Sequence, residues 1–489
     1  MEKNPGLASA SGAERMNFLT RRKSIDAMAA DAGGRGGLRR SLSWPHLVAL
    51  GVGAIVGTGI YTLIGQGADR AGPAVILSFA IAGVVCACAA LAYAEMSTLM
   101  PASGSAYTYT YAVLGEGLAW IVGWSLILEY TVVCSTVAVG WSGYAVGFLD
   151  SIGWRLPVAL TEGPAAGGLI NLPAVVITFV VAALLAAGTR ESATVNALLV
   201  VLKIAALAVF VAIALPHVRA ANFHPFMPYG FGAHEVAGVQ RGVMGAAALI
   251  FFAFYGFDAV STAAEEAKKP ERDLIIGIIG SMLVCTALYI VIAASALGAM
   301  PYAAFARSAE PLALILRSLH APGAARIIAA AAVIALPTVI LAFMYGQSRI
   351  FFVMARDGLL PRALSRVSAR THTPVAMTLF TAVVIAASAG LFELGELASV
   401  ANSGTLAAFT AVSICMLALR VREPGRPRVF RTPLAWLVGP LAVCGCIYLF
   451  FSLARLTQVA FLIWNAAGVV IYLAYGRRKS LLATASAGA

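Results

Sequence analysis

Runs of about twenty apolar residues, long enough to cross roughly 30 Å of hydrocarbon, recur along this chain from near residue 45 to near residue 476. A sliding hydropathy window predicts about twelve spans. They fall near 45–66, 71–98, 116–149, 171–188, 193–215, 241–265, 272–298, 325–352, 374–391, 396–419, 433–454 and 457–476. Turn-forming clusters punctuate them, among them Gly72-Pro73, Pro101-Ala102-Ser103-Gly104, Pro216, Pro361 and Pro424-Gly425. Two spans are interrupted mid-way by glycine: the first at Gly51-Val52-Gly53-Ala54-Ile55-Val56-Gly57-Thr58-Gly59, the sixth at Phe252-Ala253-Phe254-Tyr255-Gly256-Phe257-Asp258. A helix in lipid must satisfy its own backbone, so such a break is tolerated only where it is buried in protein or lines a cavity. One break in each half of a many-helix chain predicts a binding site near the bilayer midplane. The spacing of the breaks parses the chain into an inverted repeat of spans 1–5 and 6–10, with spans 11 and 12 appended.

Composition agrees with an all-α polytopic membrane protein. Hydrophobic residues make up 60% and charged residues 11%, against about 45–50% and about 25% in soluble domains. The spans leave no room for a separate soluble domain. Residues 1–42 form a basic tail read as disordered or lying on the inner leaflet, where basic clusters meet anionic lipid. Residues 43–476 form the transmembrane domain, and 477–489 a short second tail. The first forty residues lack the apolar core of a cleavable signal.

A net charge of +12 admits a nucleic-acid reading, but the charges sit between spans. With twelve spans both termini share one side, which carries roughly 25 of the 34 Lys and Arg residues, as expected of the cytoplasmic side. The seven cysteines are odd in number and lie in apolar runs, so they read as small packing residues. Neither a zinc-type spacing nor a Walker loop is present, no catalytic constellation stands out, and no cofactor is expected.

The break in span 1 carries the chemistry. The half-helix after Gly57-Thr58-Gly59 opens with unpaired N–H groups and a positive dipole end, a natural seat for a carboxylate. Glycine there lets a ligand approach the backbone. The break at Gly256 frees carbonyls that can accept from an ammonium group. A site for both groups is a site for an α-amino acid. Close helix packing through small residues accounts for Gly53 and Gly57 but less well for the Gly57-Thr58-Gly59 run. Lys203 lies about ten residues from either end of span 5, roughly 15 Å from each surface. An ionisable group at that depth usually serves a functional cavity, and desolvation brings a lysine toward a working proton site; the alternative is a structural strut to backbone carbonyls. Asp258 reads as a cap for the second half of span 6. Glu129 reads either as a second proton site or as a bridging residue, and Glu95 is a further buried acid. Glu265-Glu266 read as a gate or a solvated face. The six histidines fall in tails or loops, which argues against a histidine relay.

These residues resemble the amino acid–polyamine–organocation superfamily, most closely its cationic amino acid transporter family in bacterial form. The likeness covers roughly residues 43–476 and rests on the two broken spans, on Tyr93-Ala94-Glu95-Met96, on Ser103-Gly104-Ser105-Ala106-Tyr107, on Leu128-Glu129-Tyr130, on Pro270-Glu271-Arg272-Asp273 and on Arg356-Asp357-Gly358-Leu359-Leu360-Pro361. It implies the leucine-transporter fold, with alternating access. It implies that a substrate carboxylate meets the backbone at Gly57, Thr58 and Gly59. The amine would meet carbonyls of Ile55, Phe252, Ala253 and Tyr255, and Phe252, Tyr255, Phe343 and Met344 would shape the side-chain pocket. It also places Lys203 where sodium-driven relatives bind their cation.

The resulting expectation is a non-enzymatic, proton-coupled symporter of the cytoplasmic membrane, with both termini inside. No unpaired acid is evident beside Phe343 and Met344, which favours small or medium neutral L-amino acids. The alternatives are a facilitator or exchanger of cationic amino acids or polyamines, and a membrane amino acid sensor with the N-terminal tail as its output. Lipid surrounds the spans, a small single-span subunit is left open as a partner, and the sequence does not fix the oligomeric state.

Overall fold

The computed structural model describes residues 21–25, 42–101, 104–187, 193–264, 267–361, 364 and 374–483. The predicted apolar stretches are helices, since a backbone shielded from water satisfies its polar groups internally. In chain order they are α1 (Trp44–Ile55), α2 (Leu63–Ala71), α3 (Val75–Leu99), α4 (Ser105–Val113) and α5 (Glu116–Ser151). Then come α6 (Leu172–Ala186), α7 (Ala193–Ala214), α8 (Val243–Ile250), α9 (Phe257–Thr262), α10 (Pro270–Ala299) and α11 (Pro322–Ala335). The last are α12 (Pro337–Arg356), α13 (Val375–Leu391), α14 (Leu394–Arg422), α15 (Ala435–Phe451) and α16 (Arg455–Ile471). Among the described residues, 8 stretches are long and apolar enough to cross a membrane, and α1, α6, α13 and α15 are apolar but shorter. α1 is short because the chain breaks after Ile55.

Proline opens α10, α11 and α12 at Pro270, Pro322 and Pro337, where its missing N–H leaves no helical bond unmade. Pro337 also divides predicted span 8 into α11 and α12. A two-stranded hairpin absent from the sequence reading follows α7. It pairs β1 (His234–Val236) antiparallel with β2 (Val239–Arg241), His234 opposite Arg241. Arg241 Nη2 lies 3.3 Å from Asp69 Oδ2 and so pins the hairpin to the end of α2.

The centre of the bundle is α5 and the broken Val243–Thr262 stretch. Their most apolar windows are 83% and 94% buried, against 22% for Arg455–Lys479, so α16 is peripheral. It is held to α5 by stacked indoles. The Trp124 and Trp464 ring centroids are 4.7 Å apart, and each indole N–H donates to a carbonyl across the seam, Trp124 to Trp464 at 2.8 Å and Trp464 to Trp124 at 2.9 Å.

At the end that carries the termini, Glu95 is buried on α3 and clamps the chain after α14. Arg420 donates to both its oxygens, at 2.8 and 2.6 Å, the Thr432 N–H to Oε2 at 2.8 Å, and Arg428 Nε stands 3.1 Å from Oε1. Removing one partner of such a buried network costs about 3–5 kcal/mol. Glu95→Gln is therefore expected to lower the melting temperature of the purified protein by several degrees, read by thermal denaturation in detergent; an unchanged melting point would show the clamp to be energetically idle.

Candidate functional site

Both interruptions predicted from glycine are present. α1 ends at Ile55, Val56 and Gly57 are extended, and a new turn starts at Thr58. α8 ends at Ile250, tightens through Phe251–Ala253, and restarts at Phe257 after Gly256. Gly256 has φ +119, a conformation open mainly to glycine.

The two breaks touch. A Cβ on Gly59 would stand 2.4 Å from Ala253 Cα, and one on Gly256 2.9 Å from the Ala54 carbonyl carbon. Gly57 differs from its sequence reading. Its φ of −146 is ordinary extended backbone, and a Cβ there would meet Val339 at 3.5 Å, so the close approach that demands glycine falls on Gly59.

An interrupted helix leaves carbonyls without partners, and side chains from other helices take several of them. In an unbroken helix the Gly53 carbonyl would accept from the Gly57 N–H. Here Lys203 of α7 replaces that donor, its Nζ 2.9 Å from Gly53 O and 3.3 Å from Thr338 Oγ1 at the start of α12. Ile55 O accepts from the Tyr289 hydroxyl of α10 at 2.7 Å. Ile55, expected to meet an amine, thus already holds one donor on its carbonyl. At the other break, Asn402 of α14 donates to Ala248 O at 2.7 Å and to Leu249 O at 3.0 Å. Tyr289, Thr338 and Asn402 were not singled out from the sequence; a polar side chain midway along an apolar span was the available signal for Tyr289 and Asn402.

After this capping, one set of groups stays open. Among the described residues, the N–H groups of Gly57, Thr58 and Gly59 donate no hydrogen bond, and the carbonyls of Phe252, Ala253 and Tyr255 accept none. The Thr58 hydroxyl oxygen is also buried without a partner. The carbonyls of Ala54 and Val56 on the first break and the N–H groups of Tyr255 and Phe257 on the second take no partner either, so the run of three N–H groups at Gly57–Gly59 stands against a break that offers both carbonyls and amides, with the two backbones in contact.

Aromatic rings wall the site. The Phe252 and Tyr255 centroids are 4.8 Å apart, Tyr255 and Phe343 5.9 Å, and Tyr130 and Phe343 5.2 Å. Met344 is buried beside Phe343, about 100° further round α12. Asp258 lies in the first turn of α9. Its Oδ1 accepts from the Gly256 N–H at 3.1 Å and its Oδ2 from the Tyr130 hydroxyl at 3.0 Å. Glu129, next to Tyr130 on α5, is 1% exposed and both its oxygens are buried without a partner. It packs against α14, where a Cβ on Gly404 would stand 3.0 Å from Glu129 Cβ. An unpaired acid therefore does stand one residue from the ring that touches Phe343, which the sequence reading did not foresee. Glu265 and Glu266 lie outside the described residues. No group of three His, Cys, Asp or Glu side chains among the described residues has the geometry to hold a metal ion.

Residues 42–474 match the amino acid permease family. The chain is 46% identical to the branched-chain amino acid permease BcaP of Bacillus subtilis, across 94% of this chain and 98% of that protein. It is 41% identical to the methylthioribose transporter of the same organism, across 96% and 100%. It is 37% identical to the vacuolar cationic amino acid transporter 4 of Arabidopsis thaliana, across 84% and 68%. Matched over nearly its whole length, the chain belongs to the amino acid permease family of the amino acid–polyamine–organocation superfamily and is a multi-pass membrane transporter.

Proposed function

We propose that this transporter is a symporter that couples proton entry to uptake of neutral L-amino acids, branched aliphatic ones among them, across the cytoplasmic membrane. It works by alternating access, with twelve spans in two inverted repeats and both termini in the cytoplasm. One observation carries the reading: three open N–H groups on one helix break lie against a second break whose open carbonyls complement them. The donors match a carboxylate and the acceptors an ammonium, so the pair fits a zwitterion and uses no cofactor beyond the proton. The wall of Phe252, Tyr255 and Phe343 suits an uncharged side chain, and the 46% identical relative is named for branched-chain substrates. Lys203 is assigned the coupling proton, because alone among the described lysines it ends on the carbonyl that the break in α1 has freed. Glu129 is a second candidate for that proton.

A second reading, facilitated movement or exchange of cationic amino acids, draws on that same buried Glu129 side chain, an acid beside the ring wall whose oxygens have no hydrogen-bond partner. Thermal unfolding of the purified protein against the twenty amino acids separates the two. A ligand that binds only the folded state at about 100 times its Kd adds about 2.7 kcal/mol of stability. Leucine, isoleucine, valine or alanine is expected to raise the melting temperature, and arginine is not. A shift with arginine and none with any neutral amino acid would overturn the assignment.

A further inference from the structure

A cavity of about 160 Å³ lies between the last turns of α5 and the first turns of α11. α5 lines it with Gly147 and Ser151, α11 with Ala325, Arg326 and Ala329, and the short helix Pro311–Ser318 with Arg317. One water needs only about 10–15 Å³ of such space, so the cavity admits a group several times larger. It sits at the opposite end of α5 from Glu116, whose N–H donates to the Arg21 carbonyl, and hence at the end of the bundle away from the N-terminal tail. Along α5, Gly147 stands two turns beyond Gly140, which packs on Thr58 of the first break. Two turns are roughly 11 Å, so the cavity is separate from the site between the breaks.

The polar lining is mostly cationic. Arg317 Nη2 stands 2.5 Å from Glu310 Oε1, which fixes that guanidinium and leaves its other N–H groups to a ligand. Among the described residues, the Arg326 guanidinium makes no ion pair and no hydrogen bond. Beside it α11 starts without a side-chain cap. Pro322 has no N–H, and those of Gly323 and Ala324 donate no hydrogen bond among the described residues. A Cβ on Gly323 would meet nothing within 4 Å, so this helix end is open. Two guanidiniums and the positive end of a helix dipole favour an anion. Ser151 differs from them. Its hydroxyl donates to Phe148 O at 2.6 Å, so its oxygen is left to accept, which suits an ammonium or a hydroxyl on the same ligand. Ala325 and Ala329 are buried and give the cavity an apolar wall.

The place in the fold narrows the ligand. α5 ends at Ser151 and α11 begins at Pro322, so the cavity lies where hydrocarbon gives way to head groups. An anion joined to a hydrogen-bond donor, next to an apolar wall at that level, describes a phospholipid. We propose that the cavity holds the phosphodiester of one phospholipid whose head group carries an N–H or O–H donor, ethanolamine or glycerol rather than choline. The phosphate sits on Arg317 and Arg326 and the donor on Ser151. On the orientation proposed above this lipid belongs to the outer leaflet. Its binding depends neither on that orientation nor on which substrate is carried.

Native mass spectrometry of the full-length protein in detergent tests this, with phosphatidylethanolamine, phosphatidylglycerol and phosphatidylcholine of identical chains as probes. Wild type is expected to retain one molecule of either of the first two and to bind phosphatidylcholine several-fold more weakly. A lost charge-assisted hydrogen bond raises Kd about tenfold or more, so Arg326→Gln is expected to weaken retention by that factor and Arg326→Lys by less. Arg307→Gln changes an exposed arginine outside the cavity and is expected to leave retention as it is. Arg326 is itself exposed, so its replacement leaves the fold and the lipid-free melting temperature unchanged. Equal binding of the three lipids overturns the site, as do equal losses from Arg326→Gln and Arg307→Gln. An Arg326-dependent rise in melting temperature with inorganic phosphate, while no lipid is retained, overturns it too, because the cavity then takes a free anion.

Discussion

Alanine at Gly59 is expected to abolish leucine uptake, whereas alanine at Gly57, two residues earlier, leaves most of it. The new methyl at 59 would sit 2.4 Å from Ala253 Cα and 2.5 Å from Ala253 Cβ. The first is backbone and the second is the methyl fixed directly to it, with no torsion that could swing it aside, so the two breaks must separate. Overpacking of this kind costs about 1–3 kcal/mol. The same separation pulls the open N–H groups of Gly57–Gly59 away from the open carbonyls of Phe252, Ala253 and Tyr255, and each 1.4 kcal/mol lost in binding is about tenfold in Kd. A methyl at Gly57 meets only Val339, at 3.5 Å, an ordinary contact. Uptake into proteoliposomes and a leucine thermal shift measure the difference. Wild-type uptake by Gly59→Ala would show that the contact between the breaks has no part in holding substrate.

Lys203→Met is expected to lose accumulation while keeping exchange. Methionine is similar in length to lysine and removes both the charge and the donor. The Gly53 carbonyl then has no replacement for the missing helical N–H, which costs about 1–3 kcal/mol, so a lower melting temperature accompanies the change. Under the proposed coupling, wild-type protein concentrates leucine only while the outside is more acidic, and it does so without sodium. In Lys203→Met an imposed pH gradient adds nothing over the ungraded rate, but labelled leucine still exchanges for unlabelled leucine. Full gradient-driven accumulation by the variant would take Lys203 out of the coupling and leave it as a strut between α7, α1 and α12.

The spans and both breaks were legible because each rests on a signal summed along the chain: about twenty apolar residues in a row, or glycines where helical periodicity should continue. What crosses between helices was not. Nothing local to Tyr289 or Asn402 says that a hydroxyl from α10 and an amide from α14 will cap carbonyls freed hundreds of residues away in sequence. Gly57 and Gly59 look alike in the sequence, and only the approach of Ala253 tells them apart. Glu129 reads as one acid among several until its two oxygens are seen to lack partners. The hairpin at His234–Arg241 escaped because its strands are too short for alternation to register, and the split at Pro337 because proline suits both the start of a helix and a kink within one.

Peptide amides and carbonyls do not ionise in water. The main-chain groups left open at the two breaks are of that kind, and the Thr58 hydroxyl beside them does not ionise in water either, so a head group held by them meets the same partners in acid and in alkali. Any response of such a transporter to acidity must then enter through side chains standing behind the site, and the grip on the cargo and the source of the drive are chemically separate parts of one machine.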